Sequence, residues 1–247
     1  MAISRLPAGW KYGAVIDMDF HFTRHDWALE AVHQLQMYDF VQLFSSYTDL
    51  SGEDLSRGHR PIGQNNSFAY NYWHHGGLPE GVTDGGWATS YDYGGPTGWR
   101  VGATGGAWAF RRSAFDAVGG LMDRCILGHG DWFMAFGLVG SMAPDMRSDK
   151  YAPGYLKYIQ TWQERAKVLK ANIGYVDGHC THAFHGSKGR RGYSSRDKIL
   201  VDHQYDPYVD VFPNSYGVLQ LTPEKPKFRD AIRRYFLSRS EDRPHEG

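Results

Sequence analysis

Residues Tyr12 to Thr23 read YGAVIDMDFHFT, and the reading of this stretch decides the rest of the chain. Ala14, Val15 and Ile16 form a short apolar, partly β-branched run, which predicts a buried strand. That run ends on two carboxylates, Asp17 and Asp19, one residue apart. In extended backbone, side chains two apart point to the same face, so both acids can converge on one cation at the strand's end. The plainer alternative is that the two acids merely cap the strand and open the helix near Trp27.

Working outward, Trp27, Ala31 and Leu35 stand at helical spacing, which predicts a helix from Asp26. Phe40 to Phe44 then reads as a second buried strand. Strand, helix and strand over residues 12–47 make a βαβ unit and predict an α/β fold with a parallel sheet. The chain has 247 residues, and with no repeat or clear linker it reads as one domain, residues 1–247. Lys+Arg and Asp+Glu number 27 each, so no global field draws the protein to nucleic acid or a membrane surface. Two cysteines far apart, an N-terminus without an apolar core and the lack of any ~18-residue apolar run predict a cytoplasmic protein without a membrane partner.

Residues 48–100 carry Gly pairs at 76–77, 85–86 and 94–95 interleaved with Tyr70, Tyr72, Trp73, His74, His75, Trp87, Tyr91, Tyr93 and Trp99. They show no sustained period and predict long loops with at most short strands, serving as an aromatic platform or lid for an acceptor. Residues 101–190 form the acceptor and metal-site region. Gly105 and Gly106 precede a strand through Trp108 to Phe110, and Ser113 is the expected N-cap of a short helix ending at Gly119-Gly120. In Gly128-His129-Gly130-Asp131-Trp132 a carboxylate opens the apolar helix Phe133 to Gly140. Asp131 is either a simple helix-end acid or, with glycines on its approach, a general base or acceptor-binding group.

D-x-D after an apolar strand, then GGAWAFRRxxFxxVGGL, then GxGDW, resembles the metal-dependent glycosyltransferases of the GT-A fold. The likeness is nearest the β-1,4-galactosyltransferase and polypeptide N-acetylgalactosaminyltransferase group and covers Tyr12 to Lys188. It implies a GT-A-like, mixed and mainly parallel sheet flanked by helices, with long Gly/aromatic loops. It also implies a nucleotide-diphosphate sugar donor, of the UDP-sugar kind, bound through Mn²⁺ or Mg²⁺ at Asp17 and Asp19. Gly105, Gly106 and Trp108 would contact the sugar, and Asp131 the acceptor. Where that group carries W-G-G-E-D, this chain has G-H-G-D-W, a single carboxylate. The D-x-D stands at the N-terminus, so the likeness implies an N-terminally truncated GT-A fold: the chain is a fragment, a second chain supplies the nucleotide-binding half, or the uridine-type nucleotide is recognised differently.

The last third adds cations and imidazoles. Ile159, Trp162, Ala166 and Leu169 mark an amphipathic helix over Leu156 to Ala171, and Ile173 to Val176 a strand. His179, His182 and His185 follow at a spacing of three, with Lys188, Arg190 and Arg191 just beyond. A neutral imidazole completing a carboxylate shell suits Mn²⁺, and nearby cations offset a departing diphosphate. The resemblance implies a late histidine ligand, with His185 favoured over His182, and donor contacts from Lys188 and Arg190. Residues 191–247 predict helices at Arg196 to Asp202 and Pro226 to Leu237, a strand at Gly217 to Leu221, and a frayed polar tail. The function expected is transfer of a sugar to a glycan, small-alcohol or modified-base acceptor. The alternatives are a non-catalytic glycan- or partner-binding subunit and a metal-dependent hydrolase.

Overall fold

A computed structural model describes residues 3–52, 60–78, 101–141, 150–184, 186, 191–192 and 195–239. In chain order the first half gives β1 (Tyr12–Ile16), β2 (Phe20–Phe22), α1 (Trp27–Gln34), β3 (Phe40–Gln42), β4 (Ser46–Leu50), β5 (Pro61–Asn66) and α2 (Phe68–His74). It continues with β6 (Ala107–Arg111), α3 (Arg112–Val118), α4 (Gly130–Leu138), α5 (Pro153–Ala166), β7 (Ile173–Tyr175) and β8 (His179–His182). The remaining elements are α6 (Asp197–Asp202), β9 (Val211–Pro213), β10 (Leu219–Leu221) and α7 (Pro226–Arg239).

Among the described residues the strands make two four-stranded sheets, ordered β1-β6-β3-β7 and β2-β8-β4-β5, and a β9-β10 pair. The inner strands of the first sheet, β3 and β6, are buried on both faces. Phe40, Trp108 and Phe110 face one apolar cluster, packed with Phe133, Tyr155 and Ile159 from α4 and α5. Val41, Ala107 and Ala109 face the other, under Ala31 and Leu35. The α/β class is therefore met. The expected parallel sheet is met in direction only: β1, β3 and β7 run the same way, but β6 lies antiparallel between β1 and β3. The second sheet has one parallel pairing, β4 with β8.

Two chain segments cross from the first sheet to the second without losing step. Phe40 faces Ile173 in one sheet and Asp49 faces His182 in the other, so β3/β4 and β7/β8 hold one register throughout. The third crossing, from β1 to β2, reverses through a turn in which Phe20 N–H donates to Asp17 O at 3.1 Å. The D-x-D thus sits in a tight turn, not in extended backbone. Nor is β1 buried: Tyr12 is 38% and Val15 41% exposed, because among the described residues β1 pairs on one side alone.

The helices follow their local codes. Ser67 caps α2, its Oγ accepting from Tyr70 N–H at 3.2 Å, so the part of 48–100 expected as loop holds a helix bearing Tyr70, Tyr72, Trp73 and His74. Trp87, Tyr91, Tyr93 and Trp99 lie outside the described residues. Arg111, not Ser113, stands at the N-cap of α3, which ends as expected on Gly119, left-handed at φ 80°. Ile159, Trp162, Ala166 and Leu169 are buried as their spacing predicted. Cys125 and Cys180 are free thiols. Among the described residues no helix is long and apolar enough to cross a membrane.

Candidate active-site cleft

The junction of the two sheets opens into a cleft of about 840 Å³ lined by Asp17, Asp19, Gly105, Gly106, Asp131 and His182, among others. Main-chain bonds bring these segments together. Asp17 N–H donates to Gly106 O at 2.7 Å, and Ala183 N–H donates to Asp19 O at 2.8 Å. The D-x-D turn is thereby tied on one side to the start of β6 and on the other to the end of β8.

His182 Nε2 lies 3.4 Å from Asp19 Oδ2, and its Nδ1 lies 2.7 Å from Asp49 Oδ1. Asp49 is 5% exposed and enters through the parallel register of β4 with β8. With Nδ1–H donated to Asp49, the Nε2 lone pair faces the Asp19 carboxylate. Two acceptors turned toward each other are satisfied by a cation or a shared proton between them. Sequence reasoning passed over Asp49. The available signal was an acid inside the strand SYTDL, a position that disfavours one. His179 is committed elsewhere, its Nδ1 2.9 Å from Ser46 Oγ. His185, Lys188 and Arg190 lie outside the described residues.

The glycine pair separates Asp17 from Asp131. A Cβ on Gly105 would come 2.8 Å from Asp131 Oδ2, and Gly106, at φ +89°, would drive one to 2.6 Å from the Phe20 ring. Glycine is what lets these groups approach. The strap is held by Gln42, fully buried, whose Nε2 donates to Ala103 O at 2.7 Å and Gly105 O at 3.1 Å while Oε1 accepts from Ala69 N–H at 3.0 Å. Nothing in the sequence marked Gln42. Trp108 lines the cleft floor, but its Nε1–H is donated to Thr104 O at 2.8 Å and the ring belongs to the core. Asp131 opens onto the cleft from the first turn of α4, its Oδ2 accepting from Thr104 Oγ1 at 2.9 Å.

Burial, then the charges of Asp19 and Asp131, holds the Asp17 carboxyl above the usual carboxylate range, although part of the side chain meets solvent at the cleft mouth. A carboxyl held up by burial and by its neighbours' charges, beside an imidazole anchored at its far nitrogen, fits a hard divalent cation such as Mn²⁺ or Mg²⁺. Among the described residues no three His, Cys, Asp or Glu side chains form a metal-holding group by themselves. The fit rests on the pair Asp19 and His182, with ligand oxygens supplying the rest. In comparisons with known proteins, no family model, no curated protein and no solved structure matches the chain.

Proposed function

We propose that this chain is a metal-dependent glycosyltransferase of the GT-A kind, moving a sugar from a nucleotide-diphosphate sugar to an acceptor hydroxyl. The observation that carries the reading is the meeting of Asp19 and His182, far apart in sequence, in one cleft with Asp17 and Asp131. A Mn²⁺ or Mg²⁺ ion held by Asp19 and His182, with Asp17 beside it, would supply positive charge against the donor's diphosphate. Asp49 fixes the His182 ring so that Nε2 faces that position. Gly105 and Gly106, which let Asp131 and Phe20 pack against their backbone, are proposed to line the sugar's position. The acceptor oxygen forms the new bond to the anomeric carbon as the bond to the diphosphate oxygen breaks, and the nucleoside diphosphate leaves with the electron pair. In an inverting transfer Asp131 takes the hydroxyl proton; in a retaining one it orients that hydroxyl. Lys188 and Arg190 are proposed to offset the charge of the departing group.

The test is nucleoside-diphosphate release from UDP-sugars by the purified chain with Mn²⁺. Asp19→Ala should abolish the metal-dependent turnover, and undiminished turnover in that variant refutes the assignment. One observation favours a second reading: the outer edge of β1 is open among the described residues, as a chain supplying the nucleotide-binding half would require. Calorimetry separates the two. Nucleoside diphosphate binding with Mn²⁺ by the chain alone supports the enzyme, and binding of glycan or protein only supports the subunit.

A further inference from the structure

The sheet face that carries the carboxylate–imidazole pair continues past it. Register sets Phe20, His182, Asp49 and Gly63 side by side across β2, β8, β4 and β5. Two residues back along β4, on the same face, Tyr47 stands directly opposite Asn65 of β5. Tyr47 and Asn65 line the same cleft as Asp19 and His182, and the sugar-transfer mechanism gives them no part. Neighbouring rings pin Tyr47 in place: its ring centroid lies 5.9 Å from Phe20, 6.0 Å from Phe44 and 6.1 Å from His182, the last two edge to face. The residue is nonetheless only half-buried. Asn65 is half-buried as well, and among the described residues its amide makes no hydrogen bond. Where β5 faces Asp49 it places a glycine, and the nearest described atom that a Cβ on Gly63 would meet is Asp49 Oδ2, at 3.9 Å. Among the described residues, no side chain therefore covers the sheet surface beside the tyrosine–asparagine pair.

An amide offers a donor and an acceptor side by side, which matches the hydrogen-bonding edge of a nucleobase, and an aromatic ring offers a face on which a base stacks. Neither group carries charge at neutral pH, so the pair complements the uncharged end of a nucleotide and not its phosphates. Placement agrees with that chemistry. Tyr47 is two residues from Asp49, about 7 Å along the strand, and Asp49 holds His182 at the position proposed for the metal and the diphosphate. A nucleoside diphosphate keeps its base one ribose away from its phosphates, and the open surface at Gly63 adjoins both places.

We infer that Tyr47 and Asn65 form the subsite for the donor's nucleobase, with Gly63 keeping the adjoining sheet surface open for the ribose. The inference rests on the nucleotide-sugar reading and deepens it: of the courses open to a truncated GT-A fold, it takes the one in which the nucleotide is recognised differently, by this chain's own second sheet.

The test is calorimetry with Mn²⁺, comparing UDP, CDP, ADP and GDP with methyl diphosphate, which has the charged group and no base. The wild-type chain should bind its preferred nucleotide about tenfold or more tighter than methyl diphosphate. Tyr47→Leu should weaken that nucleotide about tenfold or more and Asn65→Ala about fivefold, with methyl diphosphate held within about twofold in both, a difference that a merely structural role would not produce. Nucleotides binding no tighter than methyl diphosphate, variants that leave nucleotide binding unchanged, or variants that weaken both ligands alike overturn the subsite. Losses seen with a UDP-sugar but not with UDP assign the pair to the sugar and overturn it too. Circular dichroism checks the fold, and if Tyr47→Leu fails to fold, Asn65→Ala and Gly63→Val decide. Gly63 has no left-handed φ, so valine is compatible with the strand there, and by occupying the open surface it should weaken the nucleotide and spare methyl diphosphate. No diphosphate bound at all would refute the donor reading, and the subsite with it; methyl diphosphate bound as well as every nucleotide would remove the subsite alone.

Discussion

Replacing Asp49 by asparagine changes one buried oxygen and leaves the shape of the site intact. In the native chain the carboxylate accepts from His182 Nδ1–H at 2.7 Å, in a setting where Asp49 is 5% exposed. An ionised acceptor raises the electron density of the ring and holds the tautomer whose Nε2 lone pair points at Asp19. The amide of asparagine is neutral, and with its NH₂ turned toward the ring it selects the other tautomer, which puts an N–H where a ligand lone pair is required. Loss of such an outer carboxylate weakens metal binding roughly 10- to 100-fold, which is about 1.4 to 2.7 kcal/mol. The assay is titration of the chain with Mn²⁺, read by the loss of the free-ion electron paramagnetic resonance signal, with no donor present. Ser46→Ala is the control, because it removes the partner of His179 on the same strand pair and leaves His182 untouched. Mn²⁺ affinity in folded Asp49→Asn within twofold of wild type would refute the reasoning.

Three further outcomes follow from the same geometry. Gly105→Ala places a methyl 2.8 Å from Asp131 Oδ2 and should cut turnover at least tenfold, while urea unfolding shifts by less than about 1 kcal/mol, since a side chain facing an open cleft can yield. Gln42→Leu leaves Gly105 O and Ala69 N–H without their buried partner, while Ala103 O keeps Phe68 N–H at 2.9 Å, and should cost about 2 to 4 kcal/mol by urea denaturation. Burial pushes the Cys125 thiol up to about 12, so folding favours its protonated form. That contribution is fully present below the unfolded thiol's pKa of ~8.5 and is lost as pH rises toward the folded value, at up to ~1.4 kcal/mol per pH unit. The urea midpoint of the wild type should therefore fall more steeply between pH 9 and 11 than that of Cys125→Ala; parallel slopes would show that the thiol is not so held.

Local features were legible where one short segment contains its own reason. The α5 stripe, the glycine ending α3 and the strands at Phe40 and Ile173 follow from spacing and φ requirements that no distant partner alters. The strand before the D-x-D was legible as a strand but not as an edge. An apolar run states a β preference, not how many neighbours the strand acquires, and here β6 covers one side of it. Asp17, Asp19, Asp131 and His182 could be nominated because each carries its chemistry in its own side chain.

Composition and periodicity of the 247 residues determined the class of fold, the positions of most elements and the pool of acids and imidazoles from which a site could be drawn. Tertiary structure alone decided which of them meet. The constant register of β3/β4 against β7/β8 sets Asp49 opposite His182, and the segment leading into the inserted β6 brings the glycine pair to Asp17 and Asp131. Gln42 had no local signature, and Asp49 only that of an acid inside a strand, because a buried polar side chain is defined by its partners, and strand pairing and loop packing bring those in from 27 to 133 residues away.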